Sequence, residues 1–214
     1  AIVSESSANE EIKIEQILVE DTRIALGLIA NIWRKNFDIP IIAITGSNGK
    51  TSTKELLNHV LNNRYNVHAT QGNYNTSIGL PLSLLGINKY HDISIIEMGA
   101  NQPGDIQYLC DIANPTHGLI TNISSAHLEG FHSVEKILET KSALFNYLDK
   151  GISYVNYADE RLRTIKINGE KITYGLNAEC DFPADIHHDD DGSIVLIIDS
   201  KEIKTKSKNL SFAK

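Results

Sequence analysis

Ile41-Ile-Ala-Ile-Thr-Gly-Ser-Asn-Gly-Lys-Thr-Ser52 places a β-branched apolar run, a glycine-bearing turn and a Lys-Thr pair in direct succession. Such a turn can cradle phosphate. Glycine lets backbone N–H groups converge on phosphate oxygens, a lysine adds a mobile positive charge, and the following helix contributes the positive end of its dipole. Gly46, Ser47, Asn48, Gly49, Lys50, Thr51 and Ser52 are therefore read as phosphate binders, with the Thr51 hydroxyl placed for a nucleotide-borne Mg²⁺. The strict GxxxxGK[ST] pattern would need glycine where Ile44 stands, so this loop is a shorter version. The competing reading is an ordinary β-to-α turn with Lys50 in water, but a cation in the first helical turn opposes the dipole and calls for an anion.

Other residues could join that chemistry. Glu97 closes the apolar run Ile93-Ser-Ile-Ile96, and a carboxylate at a strand end can hold a phosphate-bridging Mg²⁺ or simply face solvent. His127 lies in a polar loop, although imidazole is not the preferred ligand of a hard cation. His187-His-Asp-Asp-Asp-Gly192 lacks alternating ligand positions and reads as a solvated hairpin tip. Lys141 shares a helical stripe with Val134, Ile137, Leu138, Leu144, Phe145 and Leu148. It either snorkels to water or is a partly buried amine with a lowered pKa, able to add CO₂ and become an anionic carbamate.

The elements that must position these groups alternate. Strands are expected at 40–45, 66–70, 92–97, 116–121 and 152–156, with helices near 22–35, 50–62, 77–86, 104–113 and 133–148. Asp21 or Thr22 can cap the first helix, whose Ile24, Leu28 and Ile32 recur at helical spacing. Leu56, Leu57, Val60 and Leu61 form the corresponding stripe of the second. Continuous apolar strands separated by amphipathic helices predict an α/β fold, a mostly parallel sheet with helices on both faces. After Tyr157 shorter strands near 171–175, 182–187, 193–199 and 202–206 make a small β-rich section, with Asp191-Gly192 as a hairpin turn. Ligands gather at the carboxyl ends of parallel strands. Four polar loops fall there: the glycine loop, Gln71–Ser77, Glu97–Asn101 and Asn122–His127.

Composition narrows the partners. A net charge of −7 with no basic block argues against nucleic acid. Cys110 and Cys180 are far apart and suggest neither a disulfide framework nor a zinc ribbon. No run of about 18 apolar residues suggests a membrane span, so a soluble, cytoplasmic protein is the default; a monomer is expected.

In this order these residues resemble the Mur ligases. The resemblance rests on Thr45–Ser52, Gly72-Asn-Tyr-Asn75 with Ile78-Gly-Leu-Pro81, Glu97-Met-Gly-Ala-Asn101 with Gly104-Asp-Ile106, Ala126-His-Leu-Glu-Gly-Phe131 and Lys141-Ser-Ala-Leu-Phe145. It extends upstream to Val19–Arg23 and Trp33. The Glu-Met-Gly-Ala-Asn and His-Leu-Glu-Gly-Phe segments are similar to the branch that takes D-alanyl-D-alanine as its amine. They separate the chain from the amino-acid-adding branches and from folylpolyglutamate synthase, which share the phosphate loop. The resemblance implies that ATP phosphorylates the carboxylate of UDP-N-acetylmuramoyl-tripeptide and that the amine of D-alanyl-D-alanine attacks the acyl phosphate. It implies that Lys50 and the amides from Gly46 to Ser52 hold the β- and γ-phosphates. Thr51 and Glu97 would then hold one Mg²⁺ (or Mn²⁺), and His127 with carbamylated Lys141 a second. Asn73 and Asn75 would line the nucleotide and carboxylate pocket. Lys50, His127 and Lys141 would carry the catalysis. It further implies that residues 1–20 are a remnant of an N-terminal UDP-substrate domain. Residues 21–214 would be a central ATP-binding domain, expected to bind nucleotide weakly and not to ligate alone.

Overall fold

The computed structural model describes residues 2–6, 14–125, 131, 133–176 and 179–208. Two short strands, β1 (Ile2–Ser4) and β2 (Gln16–Leu18), pair parallel as a small sheet of their own. The next helix, α1 (Thr22–Arg34), begins at Asp21, whose carboxylate accepts the N–H groups of Arg23 and Ile24 at 2.7 and 3.1 Å. Asp21 is thus the cap, and Thr22 is the first helical residue. Arg34 and Trp33 bind α1 to the body of the chain. The buried Arg34 guanidinium donates to the carbonyls of Ala113 (2.8 Å), Phe37 (3.0 Å) and Asn114 (3.2 Å), and the Trp33 indole donates to the Ile87 carbonyl.

The alternation then runs as the apolar periodicity predicts. The order is β3 (Ile41–Thr45), α2 (Lys50–Leu61), β4 (Val67–Ala69), α3 (Gly79–Leu84), β5 (Ile93–Glu97), α4 (Asp105–Ala113), β6 (His117–Ile120), α5 (Val134–Tyr147) and β7 (Ile152–Asn156). A single turn, α6 (Glu160–Arg163), precedes β8 (Glu170–Gly175), β9 (Phe182–His188), β10 (Ile194–Ile198) and β11 (Lys201–Lys204). One sheet takes β3 to β11 in the order β11-β10-β9-β8-β7-β6-β3-β5-β4. It is parallel from β4 through β9, and β10 and β11 add antiparallel at the far edge. The expected β-rich section is therefore an extension of the main sheet. The 187–192 segment is a hairpin tip as read, with the Gly192 N–H on the Asp189 carbonyl at 2.8 Å and Asp189 paired to Lys204.

Right-handed crossovers decide where the helices lie. The connection β3-α2-β4 moves one way across the sheet, whereas those through α3, α4 and α5 move the other way. So α2 packs on β3, β4 and β5 from one face, while α1, α3, α4 and α5 pack together on the opposite face. The loops after β3 and β6, adjacent strands, lead toward opposite faces at the edge of the parallel sheet where ligands gather.

The expected stripe of α1 points elsewhere, with Ile24, Leu28 and Ile32 at 53, 60 and 68 % exposed, and that of α2 divides: Leu56 and Val60 are each 62 % exposed, whereas Leu57 and Leu61 are half-buried. Periodicity gives the stripe but not its direction. On α2 the sheet side is shared by Leu57, Leu61 and Lys54, the lysine only 1 % exposed.

One titration follows from the edge strand. His68 on β4 shares a 2.8 Å hydrogen bond with the Ser94 hydroxyl and lies edge-on to His91, ring centroids 5.3 Å apart. Burial, with a smaller contribution from the His91 charge, pushes its pKa down to about 4. The unfolded chain therefore takes up this proton at higher pH than the folded one, and stability falls as pH drops from about 6.5 toward 4. Urea melts at pH 7.5 and 4.5 are expected to differ by about 2 kcal/mol more in the wild type than in His68→Gln.

Candidate nucleotide site

The glycine loop is braced from one side. The Ser47 and Asn48 N–H groups donate to the carbonyl (2.9 Å) and side-chain Oδ1 (3.2 Å) of Asn122 in the loop after β6. The Ser47 hydroxyl donates to the Ser124 carbonyl at 3.2 Å and accepts the Ser124 N–H at 2.9 Å. Thr121 and Asn122 both donate to the Asn48 carbonyl. Gly46 has φ +146°, and a Cβ there would stand 1.9 Å from the Thr121 hydroxyl. The bracing thus requires glycine at 46. Gly49, at φ +80°, turns the chain into α2 and offers no side-chain cap.

These bonds divide the loop amides. Those of Ser47 and Asn48 are committed to Asn122, which narrows the set expected to face phosphate. Among the described residues, the amides of Gly49, Lys50, Thr51 and Ser52 make no hydrogen bond. Four N–H groups at an uncapped helix start, with the dipole behind them, suit an anion.

Lys50 arches over the loop, with Nζ 2.9 Å from the Gly46 carbonyl and 3.5 Å from that of Ser47. Its pKa is lowered by burial and partly restored by Glu97. Glu97, 2 % exposed, accepts the Thr51 hydroxyl on Oε2 at 2.9 Å and the Asn75 amide on Oε1 at 2.8 Å. The register aligning Ile44 with Glu97 brings the two strand ends level. Asn75 is therefore a partner of the carboxylate, while Asn73 lies exposed at the mouth of the same loop.

Lys141 projects from α5 and is only 5 % exposed, so it does not snorkel. Burial, then the nearby Lys50 charge, lowers its pKa to about 8. Two amines repelling one another across the loop again call for an anion. His127, with Ala126 through Gly130, lies outside the described residues.

No cluster of three His, Cys, Asp or Glu side chains gathers among the described residues. A protein cage is thus not formed, but Thr51 and Glu97 fit Mg²⁺, a hard ion usually held by one or two protein oxygens plus phosphate and water. One cleft adjoins the loop and a second lies past the end of β5. The first, about 490 Å³, runs from Asn48 and Asn122 to Asn156, Ala158, Asp159, Glu160 and Arg161. The other, about 290 Å³, lies beyond Glu97 between Thr76, Ser77, Gly99, Asn101, Asp105 and Tyr108. Sequence reasoning missed Asn156 and Asp159. Asn156, buried, donates to the Thr121 carbonyl, and Asp159 accepts the Ile123 N–H. The signal was available, since these polar residues also follow the carboxyl end of a parallel strand.

Comparison with known proteins points to one family. Residues 44–211 match the Mur ligase middle domain. The UDP-N-acetylmuramoyl-tripeptide–D-alanyl-D-alanine ligase of Synechocystis sp. is 41% identical over 188 residues, covering 86% of this chain and 40% of the relative. The MurF ligase of Thermotoga maritima, solved in complex with ADP, superposes with a TM-score of 0.85 at 33% identity, covering 95% of this chain and 48% of that one. A MurF structure from Acinetobacter baumannii gives 0.87 at 28% identity, covering 99% and 47%. The chain spans less than half the length of these relatives. Among the described residues no helix is long and apolar enough to cross a membrane.

Proposed function

The chain belongs to the Mur ligase family, matching its middle domain, and from that premise we propose that it is the ATP-handling centre of a ligase joining D-alanyl-D-alanine to UDP-N-acetylmuramoyl-tripeptide. The observation that carries this reading is the junction of Lys50, four unpaired amides and the Thr51–Glu97 oxygen pair at one sheet edge. The amides of Gly49 to Ser52 bind the β- and γ-phosphates, and Lys50 leaves the Gly46 carbonyl to meet the γ-phosphate. Thr51 and Glu97 hold Mg²⁺ or Mn²⁺, which when bound spreads the phosphate charge. The cleft ending at Asn156 and Asp159 takes the nucleoside. The cleft beyond Glu97 takes the tripeptide end, whose carboxylate gains the γ-phosphoryl group as ADP leaves. The dipeptide amine then attacks the acyl carbon and releases phosphate.

The demand throughout is to bring anions together, so cations and fixed N–H dipoles supply most of the stabilisation. Lys141 serves the same end. Its burial, lowered pKa and closeness to Lys50 support reaction with CO₂, forming an N–C bond with loss of a proton, and the carbamate with His127 serves a second Mg²⁺. Every group named comes from one chain, so a monomer suffices, working in the cytoplasm where ATP and UDP-linked precursors are found.

Phosphate release by the full-length protein tests the reading. With ATP, Mg²⁺ and the UDP-tripeptide, D-alanyl-D-alanine is expected to support turnover about a hundredfold faster than single amino acids, because a site built to pair a group rejects ligands lacking it. Equal rates with single amino acids would contradict it.

A further inference from the structure

Lys54 is among the largest fully buried side chains, 1 % exposed, on the helix that opens with Lys50 and Thr51. Burying an ammonium costs several kcal/mol before its partners compensate, and an apolar side chain is often as stable there. Yet Leu56 and Val60 of the same helix face outward while the lysine faces in. Its partners show what it holds.

Lys54 Nζ donates to the Thr70 carbonyl at 2.6 Å and pairs with Glu55 Oε1 at 2.8 Å. Thr70, 1 % exposed, lies just past the end of β4. Its N–H donates to the Ile95 carbonyl at 2.9 Å, and its hydroxyl accepts the Glu97 N–H at 3.0 Å. Glu97 in turn accepts the Thr51 hydroxyl. Thr51 and Lys54 are one helical turn apart and share a face. The bonds therefore close a ring: α2 to Lys54, Thr70, Glu97, Thr51 and back to α2.

One side of that ring meets the cation. The Thr51 hydroxyl gives Glu97 its hydrogen and keeps its own lone pairs, and the carboxylate has lone pairs to spare, so both can reach a cation while their bond holds. The arm through Lys54 and Thr70 takes nothing from either group's metal-facing lone pairs and fixes the distance between them. We propose that Lys54 is a positioning residue that locks the start of α2 against the end of β5, so that Thr51 and Glu97 keep a cation-ready spacing. Lys54 itself touches neither nucleotide nor metal. This inference rests on the nucleotide reading above.

The test is binding of a fluorescent ADP analogue to the full-length protein, titrated with Mg²⁺ and repeated in EDTA. Lys54→Met keeps the volume and removes the donor. It is expected to raise the Mg²⁺ concentration for half-maximal binding about tenfold, the usual scale for a group that orients a metal ligand. Metal-free binding is expected to stay within about twofold of wild type, since the anion-binding amides are untouched. Thr70→Val cuts the same ring at the hydroxyl and is expected to reproduce the shift, and it carries the test if Lys54→Met does not fold. Unchanged Mg²⁺ dependence in the folded variants would overturn the role of Lys54. Equal weakening with and without Mg²⁺ would also overturn it, marking plain structural support. A wild-type protein indifferent to Mg²⁺ would instead remove the nucleotide reading and this inference with it.

Discussion

Lys50→Met in the full-length protein is expected to lower turnover about a thousandfold, the scale of losing a preorganised charge aimed at a transferring phosphoryl group. Affinity for a non-hydrolysable ATP analogue is expected to fall by about a hundredfold, since the charge also meets the ground-state γ-phosphate. The fold should not suffer. Lys50 is half-buried, burial depresses its pKa, and its Nζ bonds are to two loop carbonyls. Methionine keeps the stem, and the loop is held independently through Asn122, Ser124 and Thr121. The thermal midpoint is therefore expected to stay within about 3 °C of wild type. Turnover within tenfold of wild type would mean that the lysine is a solvated residue of an ordinary turn.

Glu97→Gln is the second large effect. The buried carboxylate accepts from both Thr51 and Asn75. Glutamine keeps the shape but turns one acceptor into a donor: its NH₂ either meets the Asn75 NH₂, donor against donor, or turns to Thr51, whose hydroxyl then accepts in place of donating. It also removes the negative charge that partly restores the Lys50 pKa. Turnover is expected to fall by about two to three orders of magnitude, with the Mg²⁺ requirement raised by a similar factor. Excess Mg²⁺ should recover part of the rate, which it cannot do for Lys50→Met. A Glu97→Gln enzyme with an unchanged Mg²⁺ requirement would show the carboxylate to be only a brace for the Asn75 loop.

Much of this architecture was legible because it depends on local periodicity. Strand runs such as Ile93–Glu97 and the glycine turn before Lys50 are set by neighbours in sequence, and the strand-end rule marks their shared edge as a candidate site. Glu97 at its strand end came from the same reasoning, whereas the apolar stripe left Lys141 open between snorkelling and burial, and the structure buries it. What was not legible depends on tertiary neighbours. The α2 stripe through Leu56 and Val60 predicts a face, but α2 lies apart from the other helices and its sheet side includes Lys54. No periodicity distinguishes that lysine from a solvated one, because its acceptor, the Thr70 carbonyl, is brought there by the crossover. The family resemblance implied that Asn75 lines the nucleotide and carboxylate pocket. Its place on Glu97 follows from the close approach of that loop to Gly99, whose N–H donates to the Asn75 carbonyl at 2.8 Å.

A crystal structure of the full-length protein with Mg²⁺ and a non-hydrolysable ATP analogue tests the central claim most directly. The account predicts the terminal phosphates on the amides of Gly49 to Ser52, Lys50 Nζ moved from the Gly46 carbonyl to the γ-phosphate, and Mg²⁺ against Thr51 and Glu97. A triphosphate lying away from this loop, with Lys50 still on Gly46 and no metal against Thr51 or Glu97, would contradict it.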